Sequence, residues 1–69
     1  MSDRWFRDHR QDWISETLRV FGYINRFHIE RKFGLSSMQA AIDLKLFMAN
    51  HPGKIEYNTS SKRYEARKS

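Results

Sequence analysis

The sequence predicts a mainly α-helical domain that ends in a small β-hairpin. Three observations carry this reading. Apolar residues recur at helical spacing in three successive segments, each closed by a helix-stopping residue. After Gly53 the apolar period switches from helical to alternating. Finally, 69 residues leave room for one core only, so residues 1–69 form a single domain.

The first helix is expected over residues 8–21, where Trp13, Ile14, Thr17, Leu18 and Phe21 share one face and Gly22 provides the stop. Residues 1–7 precede it as an N-terminal extension, with Trp5 and Phe6 as a cover for the core or a contact with a second copy of the chain. "YIN" is a short extended link, in which Asn25 is suited to cap a second helix. That helix spans residues 26–33, with Ile29 and Phe33 one turn apart on its inner face and Gly34 at its end. A tight turn leads to Ser36 and Gln39, spaced as a capping box, and to a third helix over residues 37–49 that "NHPG" breaks. In residues 54–66, "KIEY" and "RYEA" alternate so that Tyr57 and Tyr64 face the core, and residues 60–62 form the tip of the hairpin. A short helix joined by a Gly-containing turn to a longer one is helix-turn-helix geometry. The hairpin after it makes the whole a winged helix-turn-helix, three helices plus a two-stranded wing.

Composition narrows the function. The net charge of +5 and a pI of about 10.0 point to polyanions, nucleic acid first and an acidic membrane or protein second. No cysteine is present, which excludes disulfides and thiolate metal sites. No apolar run approaches the roughly 20 residues that cross a bilayer, and the charged N-terminus lacks a signal-peptide core, so a cytoplasmic, nucleoid-associated protein is expected. His9, His28 and His51 are scattered without metal-ligand spacing, and neither a Gly-rich phosphate loop nor a nucleophile elbow occurs. Asp12 and Glu16, one turn apart, read as a solvated helix face. The expectation is therefore no enzyme, no metal and no cofactor.

The run "INRFHIERKFGLSSMQAAIDLKLF" resembles the N-terminal winged-helix domain of WYL-domain bacterial transcriptional regulators and, more distantly, DeoR-type repressors. The shared features are "INR" entering the second helix, "FG-LS" at the turn and "QA-x-x-DL" in the third helix. "HPGKIEYNTSSKRYEA" is similar to the wing of the WYL regulators, and the likeness extends over residues 13–66. The resemblance implies duplex DNA binding and transcriptional regulation in a bacterium or phage, with Arg26 near phosphate. Two departures have consequences. The sequence ends at Ser69 with no WYL ligand-sensing domain, so no effector switch is expected. DeoR-type third helices also carry an arginine pair before "DL", whereas here Ala41 and Ile42 stand there, so base reading would not rest on arginine.

At 100° per residue, Ala40, Leu44, Phe47 and Met48 form the core side of the third helix. The opposite side carries Met38, Gln39, Ile42, Lys45, Leu46 and Ala49, of which Leu46 and Ala49 are expected to pack against the wing or the first helix. Gln39 suits adenine, whose N6 and N7 it can bond together, and Ile42 suits a thymine methyl group. Ser37 and Lys45 lie at the groove edges. Asn25 and Ser36 cap helices whose N-terminal amides can meet phosphate, and Arg26, Lys62 and Arg63 supply positive charge. Asp43, acidic on this helix, is expected to pair with an arginine of the first or second helix. The function expected is a sequence-specific double-stranded DNA binder, a small repressor acting as a homodimer with Trp5 and Phe6 as contact residues. The alternative is a winged-helix module that binds a protein partner through the apolar face of the third helix, as an antirepressor or assembly factor would.

Overall fold

The computed structural model describes residues 3–67, so residues 1 and 2 of the expected extension lie outside the described residues. The elements run α1 (Asp3–Phe21), β1 (Tyr23–Ile24), α2 (Arg26–Phe33), α3 (Ser37–Asn50), β2 (Ile55–Asn58) and β3 (Arg63–Ala66). The architecture is a winged helix: three helices against a small antiparallel sheet.

Two features differ from expectation. The first helix is already formed at Asp3, ahead of the expected residue 8, and its first turns take in residues 3–7 of the expected extension. Nothing there breaks a helix, and Trp5, His9 and Trp13 succeed one another at four-residue spacing, the spacing that stacks side chains along one helix face. The sheet has three strands in the order β1-β3-β2 rather than two. The link "YIN" supplies the third, pairing Tyr23 with Glu65 and Ile24 with Tyr64. Ile24 is fully buried, and buried backbone groups need partners, which the free edge of β3 provides.

The core draws on every element: Ile14 and Leu18 from α1, Ile24 from β1, Ile29 from α2, Ala40, Leu44 and Phe47 from α3, and Ile55 from β2, with Tyr64 of β3 packed against them. Phe21, expected on the inner face of α1, is instead 69% exposed. It is the last residue of its helix, beyond the reach of the core, where Gly22 turns the chain at a φ of 82°.

The helix-turn-helix is closed at both ends. Gly34 adopts the left-handed conformation (φ 65°, ψ 39°) after α2, and the N–H of Leu35 donates to the Glu30 carbonyl at 3.1 Å. The Ser36 hydroxyl then accepts from the Gln39 N–H at 3.2 Å, capping α3. At the start of α2, the Asn25 N–H donates to Nδ1 of His28 at 3.0 Å, with a histidine in the place a capping box gives to Glu.

Candidate nucleic-acid interface

Capping and core packing together set how α3 presents its outer side. With Ala40, Leu44 and Phe47 buried, residues offset by half a turn face solvent. Met38 is 75% exposed and Ile42 52%, and Lys45 continues their stripe one turn on. Ser36 and Ser37 are exposed at the head of the same helix. Of the two residues expected to pack away, Leu46 is half-buried and Ala49 is exposed.

Beside this stripe lies a cleft of about 530 Å³ where the N-terminus of α2 meets α3 and the wing. Asn25, Arg26 and Lys62 line it together with Ala41, Tyr57 and Tyr64. Arg26 is more than half exposed, and its pairing with Glu30 is long at 3.7 Å, so its guanidinium retains free donors. Lys62 is exposed at the tip of the wing, with a φ of 56°. The fold thus brings Asn25, Arg26 and Lys62 to one place next to the exposed face of α3. Tyr57 and Tyr64, in edge contact at 4.8 Å, form the aromatic wall of this cleft. The alternation of "KIEY" and "RYEA" assigns both tyrosines to the core, but alternation gives the face of a strand and not how far the neighbouring helix covers it.

Arg63 is placed differently. It alternates to the other face of the sheet, where its guanidinium lies 4.2 Å above the Tyr23 ring and its Nε donates to Glu65 at 2.8 Å. Asn58 and Ser61 donate to the same carboxylate. The hydrogen bond from Asn58, then that from Arg63, hold the Glu65 carboxyl below its ordinary value. Arg63 is therefore occupied in building the wing and does not join Lys62 in the cleft.

Gln39 is tethered rather than free. Its Nε2 donates to Oδ1 of Asp43 at 3.1 Å. Asp43 is only 1% exposed and receives Arg10 from α1, Nε to Oδ2 at 2.7 Å and Nη2 to Oδ1 at 3.2 Å. The expected partnership of Asp43 with an arginine of the first or second helix is thus with Arg10. The Gln39 link lies outside the expectations, although the four-residue spacing of Gln39 and Asp43 on a helix is a signal for it.

Trp5 and Phe6 lie on the first turns of α1, 56% and 45% exposed and in edge contact with each other. Trp5 stacks on His9 at 5.6 Å, and both His9 and Trp13 meet Phe33 edge-on, so one aromatic chain links these turns to α2. Among the described residues, no group of His, Cys, Asp and Glu is placed to hold a metal ion, and no helix is long and apolar enough to cross a membrane.

Residues 8–69 match the family described as the BrxR transcriptional regulator winged helix-turn-helix domain. Curated relatives include a DNA-binding transcriptional repressor, CapW, of Escherichia coli, 37% identical over 65 residues. A protein of the same description from Pseudomonas aeruginosa is 33% identical over 66 residues. These alignments cover 94% and 96% of this chain but only 22% of each relative, so the chain spans about a fifth of their length.

Proposed function

The chain belongs to the winged helix-turn-helix family of BrxR transcriptional regulators, and from that premise we propose that it binds double-stranded DNA sequence-specifically and represses transcription as a homodimer. The observation that carries the proposal is the convergence of the exposed face of α3 with Arg26, Asn25 and Lys62 on one side of the domain. Helix α3 enters the major groove. Gln39 and Ile42 meet base edges there, and Ser37 and Lys45 contact the groove walls. Ser36 and Asn25 aim the N-termini of α3 and α2 at phosphate, and Arg26 and Lys62 hold the backbone on either side. One such module contacts few base pairs, so two copies on a palindrome supply the specificity, with Trp5 and Phe6 as exposed anchors for their contact. The relatives described as DNA-binding transcriptional repressors support this reading.

Selection from a randomised duplex library, and then titration of the selected duplex and of a random one, tests it. Arg26→Ala and Lys62→Ala should weaken both duplexes alike, each lowering the salt slope by about one. Gln39→Ala should lose about 1–3 kcal/mol on the selected duplex only and relax one position, and Ile42→Ala should lose less, where thymine is preferred. Sedimentation showing one copy on the selected duplex removes the dimer. The exposure of Met38 and Ile42 favours a second reading, in which this face receives a protein. Unchanged DNA affinity in Gln39→Ala and Ile42→Ala would favour it over base reading.

A further inference from the structure

We infer that Asp43 and Arg10 are positioning residues that set the orientation of the Gln39 amide, and with it the base that α3 prefers. The inference rests on the DNA-reading role proposed for α3. A carboxylate accepts hydrogen bonds and donates none. Whatever lies against Oδ1 of Asp43 must therefore be the NH2 end of the Gln39 amide, and its carbonyl oxygen is turned away. Asp43 itself has no freedom to turn. It is buried, and the Arg10 fork occupies both of its oxygens across the α1–α3 contact. Gln11 adds a hydrogen bond from α1 to the Asp43 backbone carbonyl at 2.9 Å.

An amide nitrogen carries two protons. With one directed at Asp43, the other remains beside the carbonyl oxygen, and this donor–acceptor pair matches N7 and N6 of adenine. Guanine offers two acceptors, N7 and O6, and would set its O6 against the outward-turned oxygen. A freely rotating Gln39 could present its NH2 group to guanine instead, and would also lose more rotamer freedom on binding. The buried ion pair thus sharpens adenine over guanine from beneath the helix, without touching DNA.

The test compares base preference in randomised duplex selections for the parent protein, Gln39→Ala, Arg10→Lys and Asp43→Asn, with Ile14→Val as a control that loosens the core elsewhere. Arg10→Lys keeps the charge but removes the two-point grip. It should lower the adenine-over-guanine ratio roughly tenfold at the position that Gln39→Ala relaxes, within what one bidentate contact contributes. Asp43→Asn leaves one oxygen for Arg10 and turns an NH2 group toward Gln39, so the Gln39 amide reverses and the adenine preference is lost. Ile14→Val should melt lower with its preference intact. If Gln39→Ala changes the preference and the Arg10 and Asp43 variants lower only stability, the positioning role is overturned. If Gln39→Ala itself changes nothing, it is the base-reading proposal that fails. Should both relay variants fail to fold, the Gln39 side-chain amide in the free parent protein decides: one fixed rotamer with NOEs to the Arg10 guanidinium supports the role, and rotamer averaging overturns it.

Discussion

Two carboxylates in this domain each gather several donors, and they do different work. Asp43 lies under α3 and receives Arg10 and Gln39, and Glu65 lies on the outer face of the wing and receives Arg63, Asn58 and Ser61. Both arrangements lock the polar side chains around them. What separates them is water. Asp43 is 1% exposed, whereas the Glu65 side chain keeps 26% of its surface in solvent. In the interior an unpaired charge has nowhere to turn, so removing one partner is severe. At the surface solvent replaces whatever is lost. The buried network therefore joins α1 to α3, the helix proposed to read bases, and the exposed one shapes a hairpin that can yield.

The largest effect should come from breaking the buried network. Asp43→Ala leaves the Arg10 guanidinium, 11% exposed, without its counter-charge, a loss of about 3–5 kcal/mol. A domain of this size has on the order of 3–10 kcal/mol in total, so urea denaturation should find Asp43→Ala unfolded or close to it at room temperature. Replacing both partners by apolar residues, Arg10→Met with Asp43→Leu, should restore most of that stability, because the uncompensated charge goes with its partner. The double variant sharpens the comparison further: it recovers the fold while leaving Gln39 without a tether, so stability returns and base preference does not. A double variant no more stable than Asp43→Ala would mean that the α1–α3 contact depends on the ion pair itself.

These contrasts also mark what a sequence makes legible. Helical spacing and stop residues locate α2 and α3 closely, because Gly34, Ser36 and "NHPG" act through local backbone geometry. The pairing of Asp43 with an arginine is legible too, since an acidic residue among Ala40, Leu44 and Phe47 must have a cation nearby. Features decided by distant neighbours are not. Tyr23 and Ile24 become a strand only because β3, some forty residues on, offers an edge. Tyr57 stays 45% exposed because it lines the open cleft between the wing, α2 and α3 rather than the packed core. Lys62 and Arg63 look equivalent as adjacent cations, yet Lys62 sits in the turn at a φ of 56° and lines the cleft, whereas Arg63 opens β3 and lies over the Tyr23 ring.

The separation of these two cations should produce an effect of intermediate size. Lys62→Ala should lower both affinity for random duplex DNA and its salt dependence, as loss of one phosphate contact does. Arg63→Ala should change the salt slope less, because its guanidinium is engaged with Tyr23 and Glu65, and should instead perturb the wing, seen as shifted resonances of Tyr23, Asn58 and Glu65. Equal salt slopes for the two variants would show that Arg63 leaves the sheet to meet phosphate, and that the exposed network is looser than its hydrogen bonds imply.

The smallest effect concerns acid. Hydrogen bonds from Asn58 and then Arg63 hold the Glu65 carboxyl below its ordinary value of 4.5. A carboxyl lowered by folding contributes stability that is present in full above the ordinary value and is lost as pH falls through the lowered one. The wing should therefore be unchanged from pH 7 down to the ordinary carboxylate range and loosen below it. The Tyr23 ring resonances and the Arg63 Nε–H report this directly, since both depend on Arg63 staying against Glu65. Glu16 is lowered in the same direction by its hydrogen bond from Arg19, so acid also acts on α1, and a global melting curve would mix the two. Glu65→Gln separates them. It removes the titrating group at the wing and leaves Glu16 in place, so the pH dependence of the Tyr23 and Arg63 signals should disappear while that of α1 persists. Directly opposite Glu65 on β2 stands Glu56, a like-charge pair that Arg67 relieves only at 3.9 Å. The neutral glutamine ends that repulsion above the carboxylate range, and below it the parent's Glu65 is itself neutral, so Glu65→Gln should be no less stable than the parent at low pH. A wing that loosened equally with and without Glu65 would place the acid-sensitive group elsewhere.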